Sequence, residues 1–185
     1  DKYPPVIICP DFEVNCIEEP NLYLPINSPD FIGYPEIQDN CSGAEENLNM
    51  SYLETGNTCN KVIIRRWQTS DQSGNLSNEC LQTIRVRPLS FSEIFIPNPL
   101  VLLECKTATD PASIVAATGD VRDGYAFVLI DGEPLPLTGQ VCNIVGSYTD
   151  LPIEACGPHC HGNIKVIRTW QFIDWCLGIV SAPVT

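Results

Sequence analysis

Ten cysteines, scattered along 185 residues at wide spacings, constrain this chain more than anything else in it. A reducing compartment keeps thiols free, and a metal cluster would bring them together in close-set groups. Wide spacing instead reads as a disulfide framework formed in an oxidising compartment. The length suits two domains of roughly 90 residues each, and 44% hydrophobic residues give each half enough to bury a core. Sixteen prolines and twelve glycines punctuate the chain, which favours short strands and turns. No window carries a sustained helical apolar period, and no stretch reads as a signal peptide or a membrane span. The opening Asp1-Lys2-Tyr3-Pro4-Pro5 starts in mid-pattern, so the chain is expected to be a segment of something larger.

The formal charge is −13. Residues 1–88 carry 13 acids and 6 bases, and residues 89–185 carry 10 acids and 4 bases, so both halves are acidic. Such a field repels nucleic acid. It fits a soluble, self-repelling surface, or one on which some carboxylates hold calcium.

The chain also resembles itself. Lys61-Val62-Ile63-Ile64-Arg65-Arg66-Trp67-Gln68-Thr69-Ser70-Asp71 returns as Lys165-Val166-Ile167-Arg168-Thr169-Trp170-Gln171-Phe172-Ile173-Asp174. Matching the two Trp-Gln-x-x-Asp runs gives an offset of 103, whereas Pro10/Cys16 and Pro99/Cys105 give 89. An insertion in the second half accounts for the drift. Its candidate is Tyr125–Leu137, where an apolar run meets Asp131-Gly132, a hairpin signal. A period of this size means an array of whole domains. The expected strands are Val6–Ile8, Glu13–Cys16, Val62–Thr69 and Leu81–Val86, then Phe95–Pro97, Val101–Cys105, Tyr125–Ile130 and Ile164–Phe172. Alternation puts Ile63, Arg65, Trp67 and Thr69 on one face. Trp67 and Trp170 are the expected core anchors. Arg65 can stack on Trp67 or pair with Asp71, and Arg168 has the same choice of Trp170 and Asp174. Pro88 and the segment Leu89–Ile94 read as a short linker.

Several motifs of the first half occur in the order of a known family. Pro4-Pro5-Val6-Ile7-Ile8-Cys9-Pro10, Asp39-Asn40-Cys41, Ile64-Arg65-Arg66-Trp67-Gln68-Thr69-Ser70-Asp71-Gln72-Ser73-Gly74-Asn75 and Cys80-Leu81-Gln82-Thr83-Ile84-Arg85-Val86 together resemble the hyalin-repeat (HYR) family. The likeness is to its cysteine-rich variants, strung in tandem through giant surface proteins of Bacteroidetes-type bacteria, gliding-motility adhesins and cell-surface filaments among them. The resemblance implies two tandem immunoglobulin-like β-sandwiches, an all-β chain stapled by disulfides. The modules span 1–88 and 89–185, with the second expected to continue past the segment. It further implies a secreted or cell-surface location and a role in adhesion or spacing. Residues 89–185 form the divergent copy. There Asn98 replaces the first cysteine, Gln140-Val141 replaces Asp39-Asn40, and Trp175-Cys176-Leu177-Gly178 follows the Asp.

Cysteine count alone does not set pairing, but two copies of one module add information, because partners should be lost together. Cys9 and Cys80 are both present in the first copy, and their counterparts Asn98 and Pro183 both lack sulfur, which pairs Cys9 with Cys80. Cys176, opposite Ser73, is matched with Cys105. Cys41 is matched with Cys59, and Cys142 with Cys156. Cys16 and Cys160 are left over, for a neighbouring chain or as free thiols.

Catalytic signatures are missing: the sequence has no Gly-x-Ser-x-Gly, His-Glu-x-x-His, phosphate loop or dinucleotide fingerprint. An enzyme is therefore not expected. Cys156, His159, Cys160 and His161 could ligate zinc or copper, or cycle in redox chemistry. In an oxidising compartment the simpler reading is a loop with both sulfurs in disulfides. Asp71, Ser73 and Asn75 alternate around Gly74 as in calcium loops, yet a plain turn after a strand serves equally well. Calcium at a junction between modules would draw on Asp1 and Glu93. Asn40, Asn49 and Asn75 head glycosylation tripeptides, read as chance in a bacterial chain. A structural spacer ranks first among the functions. A glycan- or protein-binding module using the second half ranks next, and a metal or redox enzyme last. Expected partners are neighbouring repeats, laterally associated copies and a cell-surface ligand. Nucleic acid and membrane insertion are not expected.

Overall fold

The computed structural model describes residues 2–40, 43–104, 107–154 and 164–185. The chain divides into two units, Asp1–Pro88 and Leu89–Thr185. Both are built mainly of β-strands.

Unit 1 holds β1 (Val6–Ile8), β2 (Phe12–Asn15), β3 (Glu36–Gln38), β4 (Asn49–Thr55), β5 (Val62–Gln68) and β6 (Cys80–Arg87). These make a two-stranded sheet, β1-β3, and a four-stranded sheet of order β2-β6-β5-β4. The central strand alternates as its sequence requires, with Ile63, Arg65 and Trp67 turned inward. Trp67 is fully buried and packs with Ile7 of the smaller sheet and with Cys9 just beyond it. A second cluster gathers Val14, Leu22, Ile63, Ile84 and Val86. The first strand region serves both sheets: β1 pairs antiparallel with β3, and after Pro10 the chain enters β2, which runs parallel to β6. Cys9 is bonded to Cys80 across this corner, closing 71 positions of chain.

Unit 2 opens at Leu89, and here the expected linker is corrected. Leu89 is buried, its N–H donates to Asn143 Oδ1 at 2.7 Å, and Asn143 Nδ2 donates back to its carbonyl at 2.9 Å. A side-chain amide thus imitates a β-bridge and ties the segment into the unit. Ser90 and Glu93 form a capping box around a 3-10 turn at Phe91–Glu93. The expected strand Phe95–Pro97 shrinks to one bridge, Phe95 with Phe127, under stacked rings.

Two helices follow, α1 (Pro111–Thr118) and α2 (Val121–Gly124), in a stretch whose sequence carries no sustained helical period. Their signals lie at the ends. Asp110 caps α1 by accepting from Ser113 N–H, Pro111 sits in the first turn, and Gly119 closes it at φ 80°. Then come β7 (Phe127–Ile130), β8 (Glu133–Pro136), β9 (Gln140–Val141), β10 (Ile144–Glu154), β11 (Ile164–Asp174) and β12 (Ile179–Val180). The β7-β8 hairpin turns at Asp131-Gly132, both with positive φ, where the dipeptide predicts it. The main sheet has the order β12-β11-β10-β9. Trp170 on β11 is buried beside Tyr148 and Phe172. The expected strand at Val101–Cys105 does not form over its described residues 101–104.

Replacing Trp67 with Ala should destabilise unit 1 by about 3–5 kcal/mol, through lost burial and the cavity left beside Ile7 and Cys9. Chemical denaturation followed by near-ultraviolet circular dichroism measures this. A loss below about 1 kcal/mol would mean that the ring is not the anchor of that core.

Candidate functional site

The residues singled out in the repeat, from Trp to Asp, are where the two units coincide. In unit 1 Thr69 N–H donates to Ser77 Oγ at 3.0 Å, Ser77 N–H donates to the Thr69 carbonyl at 2.8 Å, and Ser77 Oγ donates to the Asn78 carbonyl. In unit 2 Phe172 N–H donates to Ser181 Oγ at 3.0 Å, Ser181 N–H donates to the Phe172 carbonyl at 2.8 Å, and Ser181 Oγ donates to the Ala182 carbonyl. Gln68 Nε2 reaches the Ser77 carbonyl, and Gln171 Nε2 reaches that of Ser181. Behind each serine the chain returns to the tryptophan, pairing Trp67 with Cys80 and Trp170 with Val184. The counterpart of Cys80 is therefore Val184, not Pro183, because the second turn is one residue longer.

Asp71 and Asp174 head these turns, and both are buried. Asp71 Oδ1 accepts from the Asn75 N–H at 2.8 Å, and Oδ2 accepts from Asn75 Nδ2 at 2.7 Å. The Asn75 side-chain amide holds the Asp71 carboxyl below the usual carboxylate range, helped by backbone N–H groups and opposed by burial. Both oxygens thus serve the turn. Asn75 presents Nδ2 to the carboxylate, whereas a calcium loop would present oxygen to an ion. Asp174 Oδ1 accepts from Cys176 and Leu177 N–H. Glu93, a candidate at the junction, is engaged in the capping box with Ser90, and Asp1 lies outside the described residues.

Neither arginine pairs with the aspartate of its own motif. Arg65 is fully buried, and its guanidinium donates to the carbonyls of Leu22 at 2.5 Å and Ile32 at 2.7 Å. It lies 4.5 Å over the Phe31 ring and 5.8 Å from that of Trp67. Burial lowers its pKa to about 10, so it stays cationic at neutral pH. A fork of donors meets carbonyls from two separated loops, a task for guanidinium geometry that one ammonium cannot repeat. Arg168 turns instead to the neighbouring strand. It makes two 2.8 Å bonds to Asp150, lies 4.3 Å over the Tyr148 ring, and donates to the Thr109 carbonyl. Strand alternation could list same-strand partners, but it does not reveal loops or the cross-strand register that sets Asp150 opposite Arg168.

The sulfurs divide between described and undescribed residues. Besides Cys9 and Cys80, Cys16, Cys59, Cys142 and Cys176 are disulfide-bonded. Cys16, expected to be left over, is thereby corrected: its sulfur is disulfide-bonded. Cys41, Cys105, Cys156 and Cys160 lie outside the described residues, so the pairs Cys41–Cys59, Cys105–Cys176 and Cys142–Cys156 are not described. The same holds for the Cys156, His159, Cys160, His161 cluster. Among the described residues no three His, Cys, Asp or Glu side chains converge as a metal site, and no helix is long and apolar enough to cross a membrane. Disulfides persist in oxidising compartments, which fits the bonds present.

One exposed feature of unit 2 is not legible in the sequence. The turn from β11 into β12 carries Trp175 at 62% and Leu177 at 69% exposure, followed by exposed Ile179 and Val180. These exposed apolar side chains fall within one short stretch of unit 2, from Trp175 to Val180. Sequence alone shows Trp-Cys-Leu-Gly but not which way it faces.

Arg65→Met keeps most of the stem and removes the donors. It should cost unit 1 about 2–4 kcal/mol by leaving the buried Leu22 and Ile32 carbonyls unpaired, readable by urea denaturation. Acid should act through Asp71. Its folded pKa is lowered, so its contribution is full above the unfolded value of about 3.9 and is lost as pH falls through the folded one. Asp71→Asn should therefore flatten the acid limb of the unit 1 stability profile below about pH 4. An unchanged limb would rule this out.

No family model, curated protein or solved structure matches the chain.

Proposed function

We propose that the chain is a structural repeat segment of a secreted or cell-surface adhesin or filament. In this reading each unit is an immunoglobulin-like β-sandwich of the hyalin-repeat kind, serving as a disulfide-stabilised spacer. The observation that carries it is the recurrence of one hydrogen-bond set at Trp67–Ser77 and Trp170–Ser181. One module used twice in succession is how arrays are built. The sandwich reading draws on the two sheets of unit 1 and on Trp67 packed beside Cys9 and Cys80, since a buried tryptophan against a disulfide marks many immunoglobulin-like cores. A net charge of −13 favours solubility and keeps like modules apart.

A second reading, a binding module that takes a glycan or protein through unit 2, is favoured by the exposed apolar side chains of Trp175, Leu177, Ile179 and Val180. Exposed apolar groups gathered at one place often mark interaction sites.

A glycan array combined with sedimentation velocity separates the two. A spacer should show no saturable glycan binding and should sediment as a monomer. Saturable binding that disappears in Trp175→Ala would overturn the spacer and favour the second reading.

A further inference from the structure

Among the described residues, unit 2 lacks one strand that unit 1 possesses. In unit 1 the central β5 is flanked by β4 on one side and β6 on the other, and β2 lies beyond β6. In unit 2 the equivalent β11 is paired along its whole length with β10. On its other side it meets β12 at Ile173–Asp174 and Val184 at Trp170. Among the described residues no strand pairs with Lys165–Thr169 on that side.

The polarity of this edge follows from the bonds that are present. Trp170 and Val184 exchange both main-chain bonds, at 2.7 and 2.9 Å. Antiparallel strands repeat this every second residue, so the N–H and C=O of Arg168 and Val166 face the same way. Burial gives a second observation. Ile63 and Arg65 are 1% and 0% exposed, while their counterparts Val166 and Arg168 are only partly covered. The segment at 101–104 gives a third. Its counterpart β2 has β6 as its sheet neighbour, and with no such neighbour among the described residues Val101–Glu104 forms no strand. Leu103 is half-exposed where Val14 is buried.

We infer that this edge receives a further β-strand, antiparallel to β11, supplied by polypeptide leading on from Thr185. Direction argues for that source. Val184 already runs antiparallel to Trp170, and Thr185 Oγ1 lies 3.3 Å from Thr169 Oγ1, so the next residues pass Arg168, Ile167, Val166 and Lys165 in turn. The partner chemistry can be read from β6, eight residues long with Gln82, Ile84 and Val86 inward. The incoming strand carries an inward polar residue opposite Arg168 and inward apolar residues at the next two alternate positions. Once seated, it offers its far edge to residues 101–104, as β6 does to β2. The inference stands apart from the spacer role, since a binding module would need the same strand.

The test extends the 185-residue chain after Thr185 with the six-residue sequence of Gln82–Arg87, which keeps the register of β6 on β5. A Gly-Ser tail of equal length is the control. Amide hydrogen exchange by NMR reads Val166 and Arg168. Exchange at both should be fast in the chain and the control, and slower by roughly tenfold or more in the extended chain. Equal rates in the extended chain and the control would overturn the inference. So would slow exchange in the unextended chain. If that chain is monomeric, the edge is not open, and if it sediments as a dimer, a second copy fills it.

Discussion

The closure of unit 1 depends on one corner, where its first strand region meets its last strand, β6. Cys9 and Cys80 are joined there, Gln82 Nε2 donates to the Pro10 carbonyl at 3.1 Å, and Gln82 Oε1 accepts from Trp67 Nε1 at 3.1 Å. Crosslinking residues 71 positions apart removes loop entropy worth about 4 kcal/mol from the unfolded chain. The glutamine amide then satisfies the indole and a backbone carbonyl together, so the largest side chain of the core is buried with its one polar atom bonded. β2 and the 3-10 turn at Glu19–Tyr23 fall into place around this corner, because β6 gives β2 its partner and Arg65 fastens Leu22.

The parts of the fold legible in the sequence are those written in period two. Val62–Gln68 alternates strictly, and its inward set is the one that alternation selects. Asp131-Gly132 turns its hairpin because few other dipeptides tolerate two positive φ angles in succession. β4 went unread because Asn49–Thr55 is exposed or half-exposed on both faces, leaving no apolar alternation to detect. α1 went unread for a related reason: Pro111–Thr118 is apolar nearly all round, and its helical signature lies in Asp110, Pro111 and Gly119 at its ends. The fate of Val101–Glu104 was outside what local sequence holds. A strand needs a neighbour, and this neighbour is not among the described residues.

The candidate site divides along the same line. Asp71 with Asn75, and the buried tryptophans, are local or periodic and could be picked out residue by residue. The partners of Arg65 and Arg168 are not local. One finds carbonyls 43 and 33 positions away, the other a carboxylate set by β10–β11 register. Both arginines keep the same motif position while solving their burial differently. Unit 1 wraps Arg65 in loops, and unit 2 leaves Arg168 partly open with an ion pair. A shared strand frame therefore coexists with different surroundings in the two copies.

The Cys9–Cys80 bond has a mechanical consequence. A tension that draws the two ends of unit 1 apart passes from Cys9 through the sulfurs into Cys80 and out along β6. β2 lies inside the covalent loop, so its bonds to Ile84–Arg87 are not on the path of the load. The intervening chain cannot pay out, since only residues outside the covalent loop can lengthen. A module of this kind gives little under load, whatever it is attached to.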